Sequence, residues 1–440
     1  MSRFTRTLLL CLTIALLGVF TLPALAQDGI TIDFYYPTAV DAAVNTIIQG
    51  YADQFHELHP DITINAVYTG SYTQTRDTIN TEIQGGGTGP DVAVMLTTDL
   101  YSFIEEGYIV PVQDFIDSTD GAADAIADIF PSLLLNATDE EGTIWSLPFQ
   151  RSTPILYYNK DMFREAGLDP EQAPRNLEEL IADATALTAA DGSRWGLMLP
   201  VQGGFPIWVF QSFAIAFGQN LAEDDPTVVY LNSPETLAAL TAIVEMGTVQ
   251  NIMPAGGTVW GDTPTAFLNG QAGIIYHTTG NLTNILNNAT FEVGVGFLPS
   301  GPAGEDGTGY GTPTGGGNLY MFANSSPEEQ AAAWEWIQFL ASPEIQSDWG
   351  AATGYIAARM SAWDIDPLAA RVAEFPQYAV ARDQLEIAQR EFTSYRAIDT
   401  QNIINTTLAA IISGSVPLDQ AQATLDEAQA QIDSLLEEYR

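Results

Sequence analysis

The stretch Leu147–Pro170, LPFQRSTPILYYNKDMFREAGLDP, decides the fold. Its apolar run Pro154–Tyr158 has the length and composition of a buried strand. Asn159 and Asp161 follow as residues typical of a helix start, and Gly167 is typical of the position just after a helix end. The stretch therefore predicts a strand followed directly by a short helix, which is the repeating unit of α/β proteins.

Four polar residues, Gln150–Thr153, precede this strand in a segment that otherwise has the character of a buried one. Buried polar side chains need hydrogen-bond partners, because burial without a partner costs free energy. Such a run is typical of a chain crossing between two lobes or of the floor of a ligand cleft. We expect one of these at Gln150–Thr153.

The same residues resemble a known family. The pattern PF-x-x-STP-x-LYYNK, which begins at Pro148, is similar to the hinge-and-helix segment of family 1 extracellular solute-binding proteins of ABC importers. It is most similar to the glycerol-3-phosphate-binding branch of that family. The resemblance implies an α/β protein with the two-lobed periplasmic-binding-protein fold (type II), in which two discontinuous, doubly wound lobes close on a solute.

The first residues have the pattern of a secretory signal peptide. Arg3 and Arg6 form a positive region, Leu8–Leu22 is apolar, and Ala24–Ala26 is an A-x-A cleavage site. We expect cleavage after residue 26 and export to the periplasm or the extracellular side of the membrane. A retained membrane anchor is the alternative, and the small-residue site without a charged stop-transfer flank disfavours it.

Cys11 is the only cysteine, and it lies inside the predicted signal peptide. It follows Leu10 rather than a small residue, so it is a poor lipidation site and we expect release rather than lipid tethering. The exported chain would then contain no cysteine. Disulfides, cysteine nucleophiles and thiolate metal sites are therefore excluded from it.

The formal net charge is −41, and loss of Arg3 and Arg6 with the signal peptide would take it to −43. Such a surface repels nucleic-acid phosphates and anionic headgroups, so neither partner is expected. Hydrophobic residues make up 46% of the chain, which is too many for a disordered acidic protein. We interpret the acidity as an adaptation for solubility or salt tolerance rather than as a determinant of ligand choice.

Strand and helix patterns alternate along the first lobe. Strands are predicted at residues 30–36, 61–68 and 90–96, with helices at 41–58 and 72–83 between them. Ligands of doubly wound sheets bind beyond the carboxyl ends of the strands. In this lobe those ends are Tyr68–Tyr72 and Thr97–Asp99, so Tyr72, Thr97 and Asp99 are candidate ligand-binding residues.

Further along, the sequence predicts a buried helix at Trp208–Phe217 and strands at Phe291–Leu298 and Asn318–Ala323. From Asp383 to Arg440 the pattern is helical throughout. The resemblance implies three crossings between the lobes, the first at the Ser152–Pro154 motif, the second near Phe291–Leu298 and the third near Leu340–Pro343. Lobe one would then comprise residues 27–150 and 295–341, and lobe two residues 151–294 and 342–440.

No motif indicates a cofactor, a metal or a catalytic nucleophile. His56 and His59 are three residues apart, whereas a zinc-protease helix needs histidines four apart. The glycine-rich stretches lack the ending of a nucleotide loop, and no G-x-S-x-G elbow occurs. A secreted carbohydrate-active hydrolase remains as an alternative, since some of the 55 acidic residues will lie at glycosidase separation by chance.

Four aromatic residues lie beside glycine or proline at the ends of predicted elements: Tyr72, Trp208, Trp260 and Tyr355. Aromatic faces stack on the C–H surfaces of sugars, and planar polar groups bind their hydroxyls. The competing interpretation for each residue is ordinary core packing. Trp195, Trp334, Trp336 and Trp349 lie in or near helices and are predicted to be core residues.

The resemblance implies ligand contacts at the positions that match the family's motifs. These are Tyr72 in a GNYEQ-like segment, Ser152 in the STP motif, Trp208 ahead of the buried helix, Thr278 and Thr279 in place of an SSG segment, Gly316 in a glycine turn, and Tyr355 in a G-Y turn.

Two departures from the glycerol-3-phosphate branch affect the ligand. A family glutamate after the third strand is replaced by the Thr97–Asp99 region, and Gln401 takes the place of a family arginine, with Arg396 about a turn earlier. An anionic phosphate would require a guanidinium, so the neutral amide favours an uncharged sugar or polyol. A phosphate-bearing ligand would be favoured again if the Arg396 side chain turned into the cleft or if Arg151 lay on the cleft floor.

The sequence therefore predicts a monomeric receptor that closes on a sugar, polyol or glycerophosphate-type solute and then docks on membrane permease subunits. A receptor that feeds a signalling partner is a further alternative that no residue distinguishes.

Overall fold

The computed structural model describes residues 29–40, 43–203, 205–302 and 311–440. The predicted signal peptide, Cys11 and most of the glycine-rich stretch before Gly311 lie outside the described residues.

The twelve strands of the described residues are β1 (Ile30–Tyr36), β2 (Ile62–Tyr68), β3 (Val92–Leu96), β4 (Ile109–Val110), β5 (Ser146–Ser152), β6 (Pro154–Asn159), β7 (Trp195–Met198), β8 (Ala272–Thr278), β9 (Val293–Gly296), β10 (Thr312–Pro313), β11 (Gly315–Phe322) and β12 (Ala388–Gln389).

The α-helices of the described residues are α1 (Val44–Leu58), α2 (Tyr72–Gln84), α3 (Leu100–Glu106), α4 (Gln113–Ser118), α5 (Ala122–Ala127), α6 (Pro131–Leu134), α7 (Lys160–Ala166), α8 (Leu177–Leu187), α9 (Pro206–Ala216), α10 (Pro234–Thr248), α11 (Asp262–Leu268), α12 (Leu282–Asn288), α13 (Pro327–Leu340), α14 (Pro343–Thr353), α15 (Leu368–Glu374), α16 (Gln377–Asp383), α17 (Ala397–Ile412) and α18 (Leu418–Leu436).

The first sheet has the strand order β2-β1-β3-β11-β4, with β5 paired to β11. β1, β2 and β3 run parallel, as the strand–helix alternation predicts, and β11 returns antiparallel to β3. Four of the five residues of β3 are buried, because helices cover both faces of this sheet. The sheet is therefore mixed, with a parallel half that places the carboxyl ends of β1, β2 and β3 at one edge.

The second sheet has the order β7-β8-β6-β9. β7 and β8 are parallel, while β6 is antiparallel to both β8 and β9. The strand at Pro154–Asn159 and the helix α7 confirm the strand–helix unit predicted from the sequence, with the Asn159 side chain capping the helix and Gly167 ending it at φ +77°.

The chain passes from the first sheet to the second at Thr153, between β5 and β6, and returns between β9 and β11. α13 packs on β1 and β11, whereas α14 and α16 pack on α12 and β9, so a further passage follows α13. The described residues thus form two α/β units made of discontinuous segments. The exact lobe boundaries given above stay a prediction.

Aromatic packing holds the core beside the first sheet. Trp336 packs edge-on against Phe34 and Phe55 at centroid distances of 5.4 and 5.2 Å. Trp334, Trp336 and Trp349 are buried as predicted, and Trp195 is half-buried at the start of β7.

The prediction of continuous helix from Asp383 to Arg440 is wrong. Residues 388–396 are not helical, and β12 within them pairs with β10 beside the second crossing. The backbone N–H of Thr314 donates to the Gln389 carbonyl at 2.9 Å, and the backbone N–H of Glu391 donates to Asn136 Oδ1 at 2.9 Å. These distant hydrogen-bond partners override the local helical preference.

Among residues 29–40, 43–203, 205–302 and 311–440, no helix combines the length and the apolarity that a bilayer crossing requires.

The contact between α8 and β7 gives a test of the fold. A Cβ on Gly196 would lie 1.8 Å from the Ala184 carbonyl oxygen, so Gly196→Ala must push helix and strand apart. We expect it to lower the free energy of unfolding by about 1–3 kcal/mol in urea titrations. Gly50→Ala, on the exposed face of α1 with no atom within 4 Å, should instead stabilise by about 0.5–1 kcal/mol. Equal effects of the two substitutions would contradict this packing.

Candidate ligand-binding site

A cavity that is partly open to solvent lies between the two sheets. Its lining residues come from the carboxyl end of the first sheet, from the crossing strands and from the second unit. They are Ala39, Val40, Tyr72, Leu96, Ser152, Phe205, Trp208, Trp260, Thr278, Gly316, Tyr355 and Glu391. We call this the first chamber.

A second cavity adjoins it. Leu96, Phe205, Trp208 and Glu391 line both cavities, so the two spaces share a wall. The other lining residues are Thr98, Pro206, Ile207, Gln211, Phe392, Gln401 and Asn405. We call this the second chamber.

The structure brings together seven of the residues proposed from the sequence. The residues that line the first chamber are Tyr72, Ser152, Trp208, Trp260, Thr278, Gly316 and Tyr355. Gln401 lines the second chamber. Pattern and resemblance therefore converge on one place in the fold, and the roles of these residues in binding stay predictions.

Four proposed residues line neither chamber. Thr97 and Asp99 lie in a 3₁₀ turn directly behind the lining, where Asp99 is ion-paired with Arg76 at 3.1 Å. Thr279 is buried at the first crossing, where its backbone N–H donates to the Thr153 carbonyl. Arg396 lies at the start of α17 and is ion-paired to Asp399 at 2.5 Å, with its side chain about one-third exposed.

Three aromatic rings form one wall of the first chamber. Trp260 lies 5.0 Å from Phe205 and 5.8 Å from Trp208, measured between ring centroids. Behind it, Trp260 stacks on His277 at 4.0 Å. The indole N–H of Trp208 donates to the Thr314 carbonyl at 2.9 Å. These contacts fix the ring planes before any ligand arrives.

Two tyrosines lie on other parts of the chamber. The Tyr72 hydroxyl donates to Gln150 Oε1 at 2.8 Å, and Tyr355 stacks on Trp349 with ring planes 8° apart. A Cβ on Gly280 would lie 2.8 Å from the Tyr355 ring, so only glycine allows this packing. Both rings are buried except where they meet the cavity.

Arg151 lies under the chamber floor with no exposed surface. Its Nη1 donates to the Gly316 carbonyl at 3.3 Å, while Nε and Nη2 have no hydrogen-bond partner among the described residues. Burial lowers the pKa of this guanidinium, and the nearby Glu391 opposes that effect. A buried guanidinium with unpaired N–H donors can bind a negatively charged group that comes close to it.

Glu391 lines both chambers and was missed by the sequence reasoning. Its Oε2 accepts a hydrogen bond from the Thr97 hydroxyl at 2.7 Å. Asn136 holds its backbone, since Asn136 Nδ2 donates to the Glu391 carbonyl at 2.9 Å. Burial raises the pKa of the Glu391 carboxyl to about 7, although the charge of Arg151 and the Thr97 hydrogen bond oppose the rise. No local signal marked it, because it is one of 55 acidic residues in a segment predicted to be helical.

Within the part of the chain that the structure describes, no group of three His, Cys, Asp or Glu side chains could hold a metal ion. The described lining of the two chambers combines aromatic and aliphatic side chains with hydroxyls, amides and one carboxyl group. This combination suits a small molecule with apolar C–H faces and several hydroxyls.

The raised pKa of Glu391 predicts a pH-dependent stability difference. The native state binds this proton more tightly than the unfolded state, so native stability is lost as pH rises from about 4.5 through 7. Glu391→Gln removes that loss. The variant's stability advantage over wild type should therefore grow with pH by up to about 3 kcal/mol in urea titrations between pH 4.5 and 8.

Glu386→Gln is the matched control, because Glu386 is exposed and lies outside both chambers. Its stability difference from wild type should stay nearly constant over this range. A constant difference for Glu391→Gln as well would mean that the Glu391 carboxyl is not desolvated in the native state.

Comparison with known proteins connects this site to a family. The family model "Bacterial extracellular solute-binding protein" matches residues 50–377. The chain is 28% identical over 366 residues to the sn-glycerol-3-phosphate-binding periplasmic protein UgpB of Pectobacterium atrosepticum, covering 82% of this chain and 79% of that protein. It is 27% identical over 436 residues to UgpB of Yersinia pseudotuberculosis, covering 97% and 96%.

Solved structures with the same fold include UgpB from Mycobacterium tuberculosis in complex with glycerophosphocholine, with a TM-score of 0.78, 24% identity and coverage of 93% of this chain and 99% of that one. Maltose-bound T. maritima MalE3 has a TM-score of 0.79 at 21% identity, covering 92% and 100%. These likenesses confirm the two-lobed α/β fold predicted from the sequence. The family and the relatives named here are binding proteins, which gives no support to the hydrolase alternative. Because the family model covers well over half of the chain, this protein belongs to the bacterial extracellular solute-binding proteins.

Proposed function

We propose that this solute-binding protein is the receptor of an ABC importer and that it captures a neutral sugar or polyol between its lobes. The observation that carries the proposal is the first chamber itself. Trp208 and Trp260 from the second unit and Tyr72 from the first line one cavity, where they can stack on the two faces of a sugar. A ligand that contacts both lobes favours the closed conformation, which is the one that docks on the membrane permease.

The charge of the lining supports a neutral solute. Among the described residues that line the two chambers, the one acidic side chain is Glu391 and none is basic. A carboxylate accepts hydrogen bonds from ligand hydroxyls but repels a phosphate. Gln401, which the resemblance matches to a family arginine, is a neutral amide in the second chamber.

The family supports export and delivery to a membrane transporter. The relatives are named as periplasmic proteins that bind sn-glycerol 3-phosphate, and structural neighbours were solved with glycerophosphocholine, with maltose and with ribitol. A signal peptide at residues 1–26 would export this chain to the same side of the membrane.

A glycerophosphate-type solute is the second candidate, and Arg151 favours it. Two nitrogens of its buried guanidinium, Nε and Nη2, have no partner among the described residues, and they lie near Ser152 and Gly316, which line the first chamber. A phosphate that reached these donors would gain a charge-assisted interaction. Glycerol 3-phosphate and glycerophosphocholine therefore belong in any ligand screen.

We further propose that the protein does not convert its solute. Glycoside hydrolysis requires two carboxyl groups on either side of the scissile bond. Glu391 is the one carboxylate among the described residues that line the chambers, and Asp99, another acid that we proposed, is ion-paired with Arg76 behind the lining.

A ligand screen with two tryptophan variants tests this function. Sugars, polyols, glycerol 3-phosphate and glycerophosphocholine are tested by thermal shift, and the best ligand is then titrated by calorimetry. Trp260→Ala should weaken its binding at least tenfold, since an aromatic stacking partner contributes about 0.5–1.5 kcal/mol beyond the area that it buries.

Trp195→Ala is the control, because Trp195 is also half-buried but lies on β7 outside both chambers. It should leave the affinity unchanged. Chromatography of the ligand after prolonged incubation should show no product. Equal losses in the two variants would place the site elsewhere, and steady product formation would favour the hydrolase alternative.

A further inference from the structure

The second chamber contains three buried polar atoms with no partner among the described residues: Thr98 Oγ1, Gln401 Nε2 and Asn405 Oδ1. All three residues line this chamber. Thr98 is 7% exposed and follows β3 of the first sheet. Unpaired buried polar atoms are costly, so a cluster of three around one cavity indicates a missing hydrogen-bonding occupant.

The positions of these residues form a built site. Gln401 and Asn405 are four apart on α17, so they lie on one face of that helix. α17 packs against the 3₁₀ turn that holds Thr98, so the chamber also has walls from both units. Gln211, in contrast, is already satisfied, because its Nε2 donates to Asn220 at 2.6 Å and its Oε1 accepts from the Phe392 N–H.

We propose that the second chamber is a ligand subsite for a second hydroxyl-bearing unit, so that the solute is at least the size of a disaccharide. This inference rests on the function proposed above. The first chamber would hold one sugar ring against Trp260 and Trp208. The next unit would extend past Glu391 and exchange hydrogen bonds with Thr98, Gln401 and Asn405.

The chemistry of the chamber selects a neutral polyol unit over other occupants. A trimethylammonium group cannot hydrogen-bond, so it would leave the three polar atoms unpaired. A phosphate would face the acidic Glu391 side chain, and no cation occurs among the described residues that line this chamber. The rings of Phe205, Trp208 and Phe392 offer apolar faces for the C–H surface of a sugar.

The position of Glu391 fits a junction between two units. Its Oε2 is bound by Thr97, while no hydrogen bond to its Oε1 is present among the described residues. Since Glu391 lines both chambers, Oε1 can accept a hydrogen bond from a ligand hydroxyl next to the linkage between the two sugar units. A two-unit ligand would therefore form hydrogen bonds with protein donors and acceptors that stay unpaired when a single ring occupies the first chamber.

The test compares single sugars with their disaccharides on the exported chain. Calorimetry is performed with glucose and with maltose, trehalose and cellobiose, and with ribitol and glycerophosphocholine as non-sugar probes. We expect at least one disaccharide to bind tenfold or more tightly than glucose. The double variant Gln401→Ala/Asn405→Ala should weaken that disaccharide at least tenfold and should change the affinity of glucose by less than twofold.

The exposed residues Asn402 and Thr406 of α17 provide the matched control, Asn402→Ala/Thr406→Ala, which should change neither affinity. Thr98→Val is nearly isosteric, so it tests the same subsite if the double variant proves poorly folded. It should lower the affinity for the disaccharide alone.

The outcomes separate this inference from the function on which it rests. Binding of glucose or ribitol with no gain for any disaccharide would overturn the subsite and leave a sugar receptor in place. Equal losses for glucose and disaccharide in the double variant would also overturn it. Binding of glycerophosphocholine alone, with no sugar or polyol bound, would overturn the neutral-sugar function itself.

Discussion

The pairing of β5 with β11 is the constraint on which the rest of the structure depends. Gly315, Gly316 and Gly317 lie opposite Ser152, Arg151 and Gln150. Gly316 has φ +92°, a conformation natural only to glycine, and a Cβ there would lie 2.0 Å from the Gln150 carbonyl oxygen. Because these three positions of β11 have no side chain, β5 can pair closely with β11 beneath the ligand cavity.

The same glycines set the two walls of the cavity. A Cβ on Gly315 would lie 2.4 Å from Trp208 Nε1, and one on Gly317 would lie 2.8 Å from the Tyr72 hydroxyl. The second unit's tryptophan and the first unit's tyrosine can therefore both pack directly against this strand. The three-glycine strand thus links the hinge, through which the lobes are connected, to the aromatic groups that would hold a solute between them.

Burial of charge completes the site. Arg151 and Glu391 are both buried, and each stabilises the charged form of the other without direct contact. The protein retains a cation under the floor and a carboxylate in the lining, although burying either one costs free energy. Such pairs are typical of places where a ligand supplies the missing hydrogen bonds.

Local sequence patterns predicted much of this and failed at one identifiable place. The strand–helix unit after Thr153 and the parallel strands of the first lobe follow from hydrophobic periodicity. The motif at Pro148 supplied Ser152, and the other matched motifs and the aromatic pattern supplied the rest of the seven predicted residues that line the first chamber. The segment 388–396 could not be predicted, because its hydrogen bonds to Asn136 and Thr314 come from far away in the chain. That segment carries Glu391, so the error in secondary structure and the missed site residue have one cause. Arg396 was proposed from the same misread segment, and the structure places it in ion pairs at the start of α17.

The central claim is that one solute binds between the two units, against aromatic rings contributed by both. The most direct measurement is a crystal structure of the protein with its tightest-binding sugar or polyol. The account predicts a ligand in contact with Trp208 or Trp260 on one side and with Tyr72 on the other, with a hydroxyl at Glu391. A ligand that contacts residues of only one unit, or that lies outside both chambers, would contradict it.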